Sequence, residues 1–171
     1  ELPDVPGFAD CWPKTVISCP FCDPSPSDDE IWGVVPRNEM ELAGMAGLLR
    51  NWSSQLRVFV QPELPCGEEQ APELSALGAT IHRGVIAKLV HDQGRIEKVV
   101  LQSGESVPVG RLVWIPKDLP SALVSRLHDS LGIELDEDGQ LASDEAFSTN
   151  VPGIWAAGDV HGWTGAVVSA A

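Results

Sequence analysis

The chain has 171 residues, enough for one medium-sized domain or two small ones with a hydrophobic core. Its 25 acidic and 11 basic side chains give a formal net charge of −14 without a basic stripe, so we expect no binding to nucleic acid. No stretch is apolar over the length of a membrane span and no signal peptide is evident, so we expect no membrane association and a cytoplasmic location.

The first motif along the chain is Cys19-Pro20-Phe21-Cys22, which follows the β-branched run Thr15-Val16-Ile17-Ser18. Two cysteines at this spacing can close and reopen a disulfide, with one acting as the attacking thiolate and the other as the resolving thiol. Half of a zinc site is the alternative, but Cys11, Cys66 and the four histidines offer no second pair at ligand spacing, so we expect no metal. The four cysteines are also too few for a disulfide scaffold. Thiol redox chemistry is therefore the leading hypothesis.

The segments that follow predict a β-α-β unit and its continuation. The predicted elements are a strand over Ile31–Val35, a helix over Asn38–Trp52, a strand over Leu56–Val60, a short helix over Pro72–Leu77 and a strand over Thr80–His82. A β-α-β unit implies parallel strands with a right-handed crossover. Gly78 provides the stop signal for the short helix.

The segment from Val85 to Ile115 has a different pattern. Strands are predicted over Val85–His91, Ile96–Leu101 and Val107–Ile115, separated by the turn sequences Asp92-Gln93-Gly94 and Ser103-Gly104-Glu105. This spacing predicts antiparallel hairpins. An amphipathic helix is predicted after them, over Ala122–Leu131.

The last motif, Val151–Val160, predicts a turn, a short buried strand and a small-residue turn, with a helix beginning within Gly165–Ala171. Gly158 would let a ligand approach the backbone, Asp159 can accept a hydrogen bond from a hydroxyl, and a helix N-terminus favours an electron-rich atom. A flavin meets these requirements through its ribityl hydroxyls and a ring that gains negative charge on reduction. An ordinary strand-to-helix turn is the alternative.

Together the two motifs resemble the thioredoxin-reductase-like, FAD-dependent pyridine nucleotide-disulfide oxidoreductases, and more closely their dithiol oxidase subgroup. The resemblance runs through Leu2–Phe8, Cys19–Asp23, Leu48–Trp52 and Gly153–Ala171. It implies an α/β fold, with a Rossmann-like three-layer domain that carries an antiparallel β-meander, plus the C-terminal part of an FAD-binding domain. The implied division is a linker over residues 1–16, a pyridine-nucleotide-like domain over 17–116 and the flavin-domain part over 117–171.

The resemblance also implies roles for individual residues. Cys22 matches the cysteine nearer the flavin, Cys19 the one that exchanges with substrate, and Asp23 an acid/base position, although a capping or loop aspartate is equally consistent with the sequence. His161 is a weaker candidate base, since a histidine at a turn is ordinarily solvated. The implied flavin-binding residues are Gly158, Asp159, Val160, Ala166 and Val167, with Asp159 on the ribityl hydroxyls.

Two departures from the family pattern bear on the cofactors. A dinucleotide site needs G-x-G-x-x-G in the first β-α turn, where this chain has Gly33-Val34-Val35-Pro36-Arg37-Asn38. We expect the branched side chain of Val35 to obstruct the pyrophosphate and Glu63 to repel a 2′-phosphate, so NADPH binding is not expected. A rearranged loop in which Arg37 holds the dinucleotide is the alternative. No glycine-rich unit for FAD is found either, so we expect the AMP half of FAD to be held by sequence outside this chain.

The predicted function is that of a flavin-dependent thiol/disulfide oxidoreductase. Cys19 and Cys22 would take two electrons from a dithiol, either a small molecule or a thioredoxin-like protein, and pass them to FAD, with dioxygen as the acceptor. An NADPH-dependent thioredoxin-disulfide reductase is one alternative, against which the first β-α turn argues. A catalytically silent interaction module is another, against which the intact cysteine pair argues. A homodimer is expected from the resemblance alone.

Overall fold

The computed structural model describes residues 2–22, 30–64, 71–116, 121–137 and 139–161. These residues belong to two compact units, a larger one over Leu2–Lys117 and a smaller one that begins at Asp118. In the described residues no helix has the length and apolar character that crossing a membrane requires. The division into a linker, a nucleotide-type domain and a flavin-domain part stays a prediction.

The larger unit contains most of the regular structure. Its helices are α1 (Phe8–Cys11), α2 (Glu39–Leu49) and α3 (Ala71–Ala76), and a short 3-10 helix spans Pro20–Cys22. Its strands are β1 (Val16–Ile17), β2 (Trp32–Val35), β3 (Leu56–Val60), β4 (Ala79–Arg83), β5 (Ile86–Asp92), β6 (Arg95–Leu101), β7 (Ser106–Pro108) and β8 (Arg111–Trp114). The elements predicted between residues 31 and 101 are confirmed, with small differences at their ends.

Five strands form a parallel sheet in the order β1-β8-β2-β3-β4. Alternate side chains of β2 enter different cores, since Trp32 packs with residues of α2, whereas Val35 packs with Phe59 and with side chains of the antiparallel sheet. Both faces of β2, a central strand of the parallel sheet, are thus buried, which explains why this strand is a continuous apolar run in the sequence. This arrangement confirms the predicted α/β class with a parallel and an antiparallel sheet.

Strands β5, β6 and β7 form the antiparallel sheet. The β5–β6 connection is the predicted tight turn, in which Gln93 and Gly94 both have positive φ angles, of 49° and 83°. This is the backbone conformation that two-residue hairpin turns favour.

The prediction of one strand over Val107–Ile115 is wrong, because the chain changes sheets within it. Pro108 has no N–H with which to continue the antiparallel ladder. At Gly110 a Cβ atom would lie 2.6 Å from the Cγ atom of Glu30, so glycine lets the chain pass this side chain. The Gly110 N–H donates to the Ile31 carbonyl at 2.8 Å, and β8 then enters the parallel sheet between β1 and β2.

The residues before β1 pack onto the larger unit. Phe8 and Cys11 are fully buried in the core cluster that includes β5 and β6. The Leu89 N–H donates to the Pro6 carbonyl at 2.8 Å. Gly7, with φ of +86°, is needed there because a Cβ atom would collide with the Leu89 carbonyl oxygen.

The smaller unit has a core of Val124, Ile133, Leu141 and Ala156. Its helix, α4 (Ala122–Leu131), confirms the amphipathic helix predicted there. The predicted buried strand before Gly158 is wrong, since Trp155 makes one isolated bridge, to Ser148, and is 65% exposed. A strand needs a neighbour along its whole length, and in the described residues of this unit the segment pairs only at that bridge.

Candidate functional site

The predicted redox motif begins the connection that carries the chain from β1 back to the start of β2. Such a crossover is required because β1 and β2 run parallel in one sheet. The 3-10 helix Pro20–Cys22 forms its first turn, and the Cys22 N–H donates to the Cys19 carbonyl at 3.3 Å. Ile17, at the end of β1, lies in the core cluster of α2, so the cysteine pair follows directly from that core.

The structure brings the two predicted redox cysteines together as free thiols. Cys19 is half-buried and Cys22 is exposed. The pKa of Cys22 is raised from its ordinary value, first because its thiol hydrogen-bonds to Cys19 and then because a charge on the Cys19 sulfur disfavours a second charge beside it.

An aromatic contact with Trp52, just after the end of α2, supports the motif. The Phe21 ring, between the cysteines, meets the Trp52 ring edge to face, with centroids 5.1 Å apart and an interplanar angle of 83°. Trp52 also packs against Trp32 of β2, at 6.2 Å between centroids. Trp52 belongs to the segment Leu48–Trp52 of the resemblance, which predicts no role for it. Its position three residues after the end of α2 is the signal that could have suggested one.

A partly buried ion pair lies next to Trp32. The Arg111 guanidinium carbon is 5.4 Å from the centre of the Trp32 ring, and Arg111 Nε donates to Glu30 Oε2 at 3.1 Å. Burial raises the pKa of Glu30 and lowers the pKa of Arg111. The attraction between the two charges therefore offsets part of the free energy that each one loses when it is removed from water at the start of β2.

The flavin-type turn is described in part. Gly158 begins a 3-10 helix, Gly158–His161, with φ of +77° and open space where a Cβ atom would stand. The backbone in this region fits a flavin, since a ligand can approach an open glycine and the first N–H groups of a helix favour electron-rich atoms. The Val160 carbonyl accepts from the Leu141 N–H at 2.9 Å, which attaches the turn to the smaller core.

The remaining site predictions lie outside the described residues. Asp23, Ala166 and Val167 are outside them entirely, and so are the side chains of Asp159 and His161. Their roles stay predictions. Within the described residues no group of three or more His, Cys, Asp or Glu side chains is placed to hold a metal ion.

The first β-α turn differs from the expectation in its details. Gly33 lies inside β2, where a Cβ atom would be 2.7 Å from Leu112 Cδ1, so this glycine serves the packing of the sheet. Val35 is only 5% exposed, with its side chain in the core. The predicted obstruction of a pyrophosphate by the Val35 side chain is therefore wrong, because the pleat of β2 directs that side chain away from the turn.

The N-terminus of α2 is occupied by side chains of its own turn. Asn38 Oδ1 accepts from the Glu41 N–H at 2.8 Å. The Glu41 carboxylate accepts from the Arg37 N–H at 2.9 Å and from Arg37 Nε at 2.8 Å. In dinucleotide-binding folds the N–H groups at this helix end hold the pyrophosphate. At this helix end Asn38 provides the cap, and the Glu41 carboxylate pairs with Arg37, the cation of the alternative.

Comparison with known proteins identifies the relatives of this chain. The pattern of the family described as "Pyridine nucleotide-disulphide oxidoreductase" matches residues 59–171. Thioredoxin reductase aclD of Aspergillus oryzae is 26% identical, covering 93% of this chain and 52% of the relative. Thioredoxin reductase sirT of Leptosphaeria maculans is 28% identical, covering 92% and 51%. The crystal structure of HlmI is similar with a TM-score of 0.76 and 31% identity, over 99% of this chain and 52% of that one. The chain thus spans about half the length of these relatives.

Proposed function

Because the chain belongs to the pyridine nucleotide-disulphide oxidoreductase family, we propose that it serves an FAD-dependent enzyme that oxidises a dithiol to a disulfide. The observation that carries the proposal is the Cys19–Cys22 pair, two free thiols in one 3-10 turn closed by the hydrogen bond from the Cys22 N–H to the Cys19 carbonyl, with one exposed cysteine. The substrate is a small dithiol or a thioredoxin-like protein, the proposed location is the cytoplasm, and the proposed assembly is a homodimer.

The thiol chemistry follows from the two cysteines. In the oxidised pair, a substrate thiolate attacks the Cys19 sulfur, the Cys19–Cys22 bond breaks, and Cys22 leaves and takes up a proton. The second substrate thiol then attacks the substrate sulfur of the mixed disulfide, which releases Cys19. The substrate departs as a disulfide, and two electrons and two protons have moved to the cysteine pair. The raised pKa of Cys22 favours its protonated form at this stage.

The cofactor completes the cycle. When bound, FAD supplies the two-electron acceptor for the reduced cysteines, and dioxygen is the proposed final acceptor. The backbone of Gly158 to Val160 would face the flavin, with Asp159 on its ribityl hydroxyls and Ala166 and Val167 beyond them. Asp23 is the proposed proton carrier beside the cysteines.

We propose further that NADPH takes no part. The support is the set of hydrogen bonds at the start of α2. Asn38 Oδ1 accepts from the Glu41 N–H, and the Glu41 carboxylate accepts from the Arg37 N–H and Nε, so an N–H group of this helix end and the cation of the alternative are already engaged. An NADPH-dependent disulfide reductase is the second candidate function, and the names of the two thioredoxin reductases among the relatives favour it.

The test uses the complete polypeptide, its absorbance spectrum and oxygen uptake driven by dithiothreitol. A yellow protein that consumes oxygen without NADPH supports the oxidase, and Cys22→Ser should retain the flavin while abolishing uptake. Cys11→Ala, which alters a buried cysteine of another core cluster, is the matched control and should remain active. Rapid bleaching of the flavin by NADPH without oxygen would instead establish the reductase. A colourless, inert protein would overturn both functions.

A further inference from the structure

Three aromatic rings connect the redox motif to the centre of the parallel sheet. We call Phe21, Trp52 and Trp32 the aromatic column. Phe21 is 69% exposed, Trp52 is half-buried and Trp32 is fully buried, so the column runs from the surface to the core. Its inner end is fixed by β2 and by the Arg111 guanidinium next to the Trp32 ring.

The turn that carries the cysteines is anchored at Pro20, whose side chain is buried, whereas Phe21 is exposed. Pro20 has no N–H, and in the described part of the chain the only backbone hydrogen bond inside the turn joins Cys22 to Cys19 at 3.3 Å. Cys22 itself is exposed. Among the described residues, the edge-to-face contact of Phe21 with Trp52 therefore restrains the exposed part of the reduced turn.

We propose that Trp52 is a positioning residue for the cysteine pair, which acts through Phe21 to hold the turn in a conformation ready for disulfide formation. The proposal rests on the redox role proposed above for Cys19 and Cys22. A disulfide requires a narrow range of Cβ–Cβ distances and torsion angles. A reduced turn that is already ordered loses less conformational entropy when the bond closes, so its thiols have a higher effective concentration.

The expected effect is on the redox equilibrium of the pair. Glutathione disulfide takes two electrons from the two thiols, forming two molecules of glutathione and the Cys19–Cys22 disulfide. Loss of an edge-to-face aromatic contact typically changes an equilibrium constant roughly two- to tenfold. We therefore expect Trp52→Leu to lower the equilibrium constant for disulfide formation by this factor. A tenfold decrease corresponds to a reduction potential about 30 mV less negative.

The experiment equilibrates the complete polypeptide with glutathione buffers, traps free thiols by alkylation and counts them by mass spectrometry. Trp52→Leu and Phe21→Leu should each shift the equilibrium in the same direction, and the double variant should shift it no further than one of them alone. Trp52→Phe should restore part of the effect. The matched control is Trp114→Leu, since Trp114 meets Phe8 with nearly the same geometry, 5.2 Å and 85°, in another core cluster.

The control separates positioning from general stability. Trp114→Leu should lower the urea midpoint, but its equilibrium constant for disulfide formation should remain equal to that of the wild type. Equal equilibrium constants in the wild type and both single leucine variants of the column would overturn the role of Trp52. So would a shift in Trp114→Leu as large as that in Trp52→Leu. A wild-type pair that forms no reversible disulfide in any buffer would instead overturn the proposed function, together with the positioning role that depends on it.

Discussion

The hydroxyl of Thr15 joins the strand before the redox motif to the β5–β6 turn, and its removal makes a quantitative test of this packing. Thr15 Oγ1 donates to the Gly94 carbonyl at 2.9 Å and accepts from the Ile96 N–H at 3.0 Å. Gly94 and Ile96 are both buried. Thr15→Val keeps the shape of the side chain but leaves a carbonyl and an N–H without their partner.

The magnitude follows from the two groups left unpaired. A buried polar group without a partner costs about 1–3 kcal/mol, and the two groups together should lower the free energy of unfolding by about 2–6 kcal/mol. If the Ile96 amide exchanges through unfolding of the larger unit, a loss of about 2 kcal/mol makes its hydrogen exchange roughly thirtyfold faster.

Hydrogen exchange at the Ile96 amide and urea denaturation of the complete polypeptide are the measurements. Thr15→Ser retains the hydroxyl and should remain close to the wild type. Thr80→Val makes the same chemical change at an exposed position of β4 and should alter stability little. Exchange at Ile96 in Thr15→Val within about threefold of the wild type would refute the assigned role of the hydroxyl.

Three further predictions concern the redox pair, α2 and the first β-α turn. Cys19→Ser should lower the pKa of Cys22, because it removes the sulfur whose hydrogen bond and charge raise that pKa. The pH dependence of Cys22 alkylation should therefore move to lower pH, and an unchanged profile would contradict this cause. Gly44→Ala should stabilise the protein by about 0.5–1 kcal/mol in urea denaturation, because a Cβ atom there meets nothing within 4 Å and alanine is the better helix former. A loss of stability would indicate a contact on the face of α2 that carries Gly44. The double variant Val35→Gly and Asn38→Gly should not bind NADPH in a fluorescence titration, because the Val35 side chain is already in the core and the Glu41 carboxylate remains near the start of α2. Saturable binding would show that only the two glycines were lacking.

The redox motif illustrates how far local sequence reasoning reaches. The spacing of Cys19 and Cys22 predicts two thiols that can meet, and the structure brings them within hydrogen-bonding distance. Neither the exposure of Phe21 nor its contact with Trp52 could be derived in this way, because Trp52 is distant in sequence and its position depends on where α2 packs.

The first β-α turn shows what sequence reasoning misses about the direction of side chains. Missing glycines predict that a dinucleotide is not bound, but the side chain expected to obstruct it, Val35, lies in the core. Glu41 instead accepts hydrogen bonds from Arg37 in the turn. The sequence shows both residues, but which one faces the helix end depends on the pleat of β2 and on the direction in which α2 starts.

The pattern of residues alone determined the α/β class, the presence of α2, the limits of β3 and the tight turn at Gln93-Gly94, because periodicity and turn preferences act over a few neighbouring residues. Only the tertiary structure decided that Arg111–Trp114 leaves the antiparallel sheet and enters the parallel one. Alternating apolar residues satisfy either sheet equally, and the choice is made by long-range contacts, in which Gly110 passes Glu30 and β8 finds its neighbours in β1 and β2.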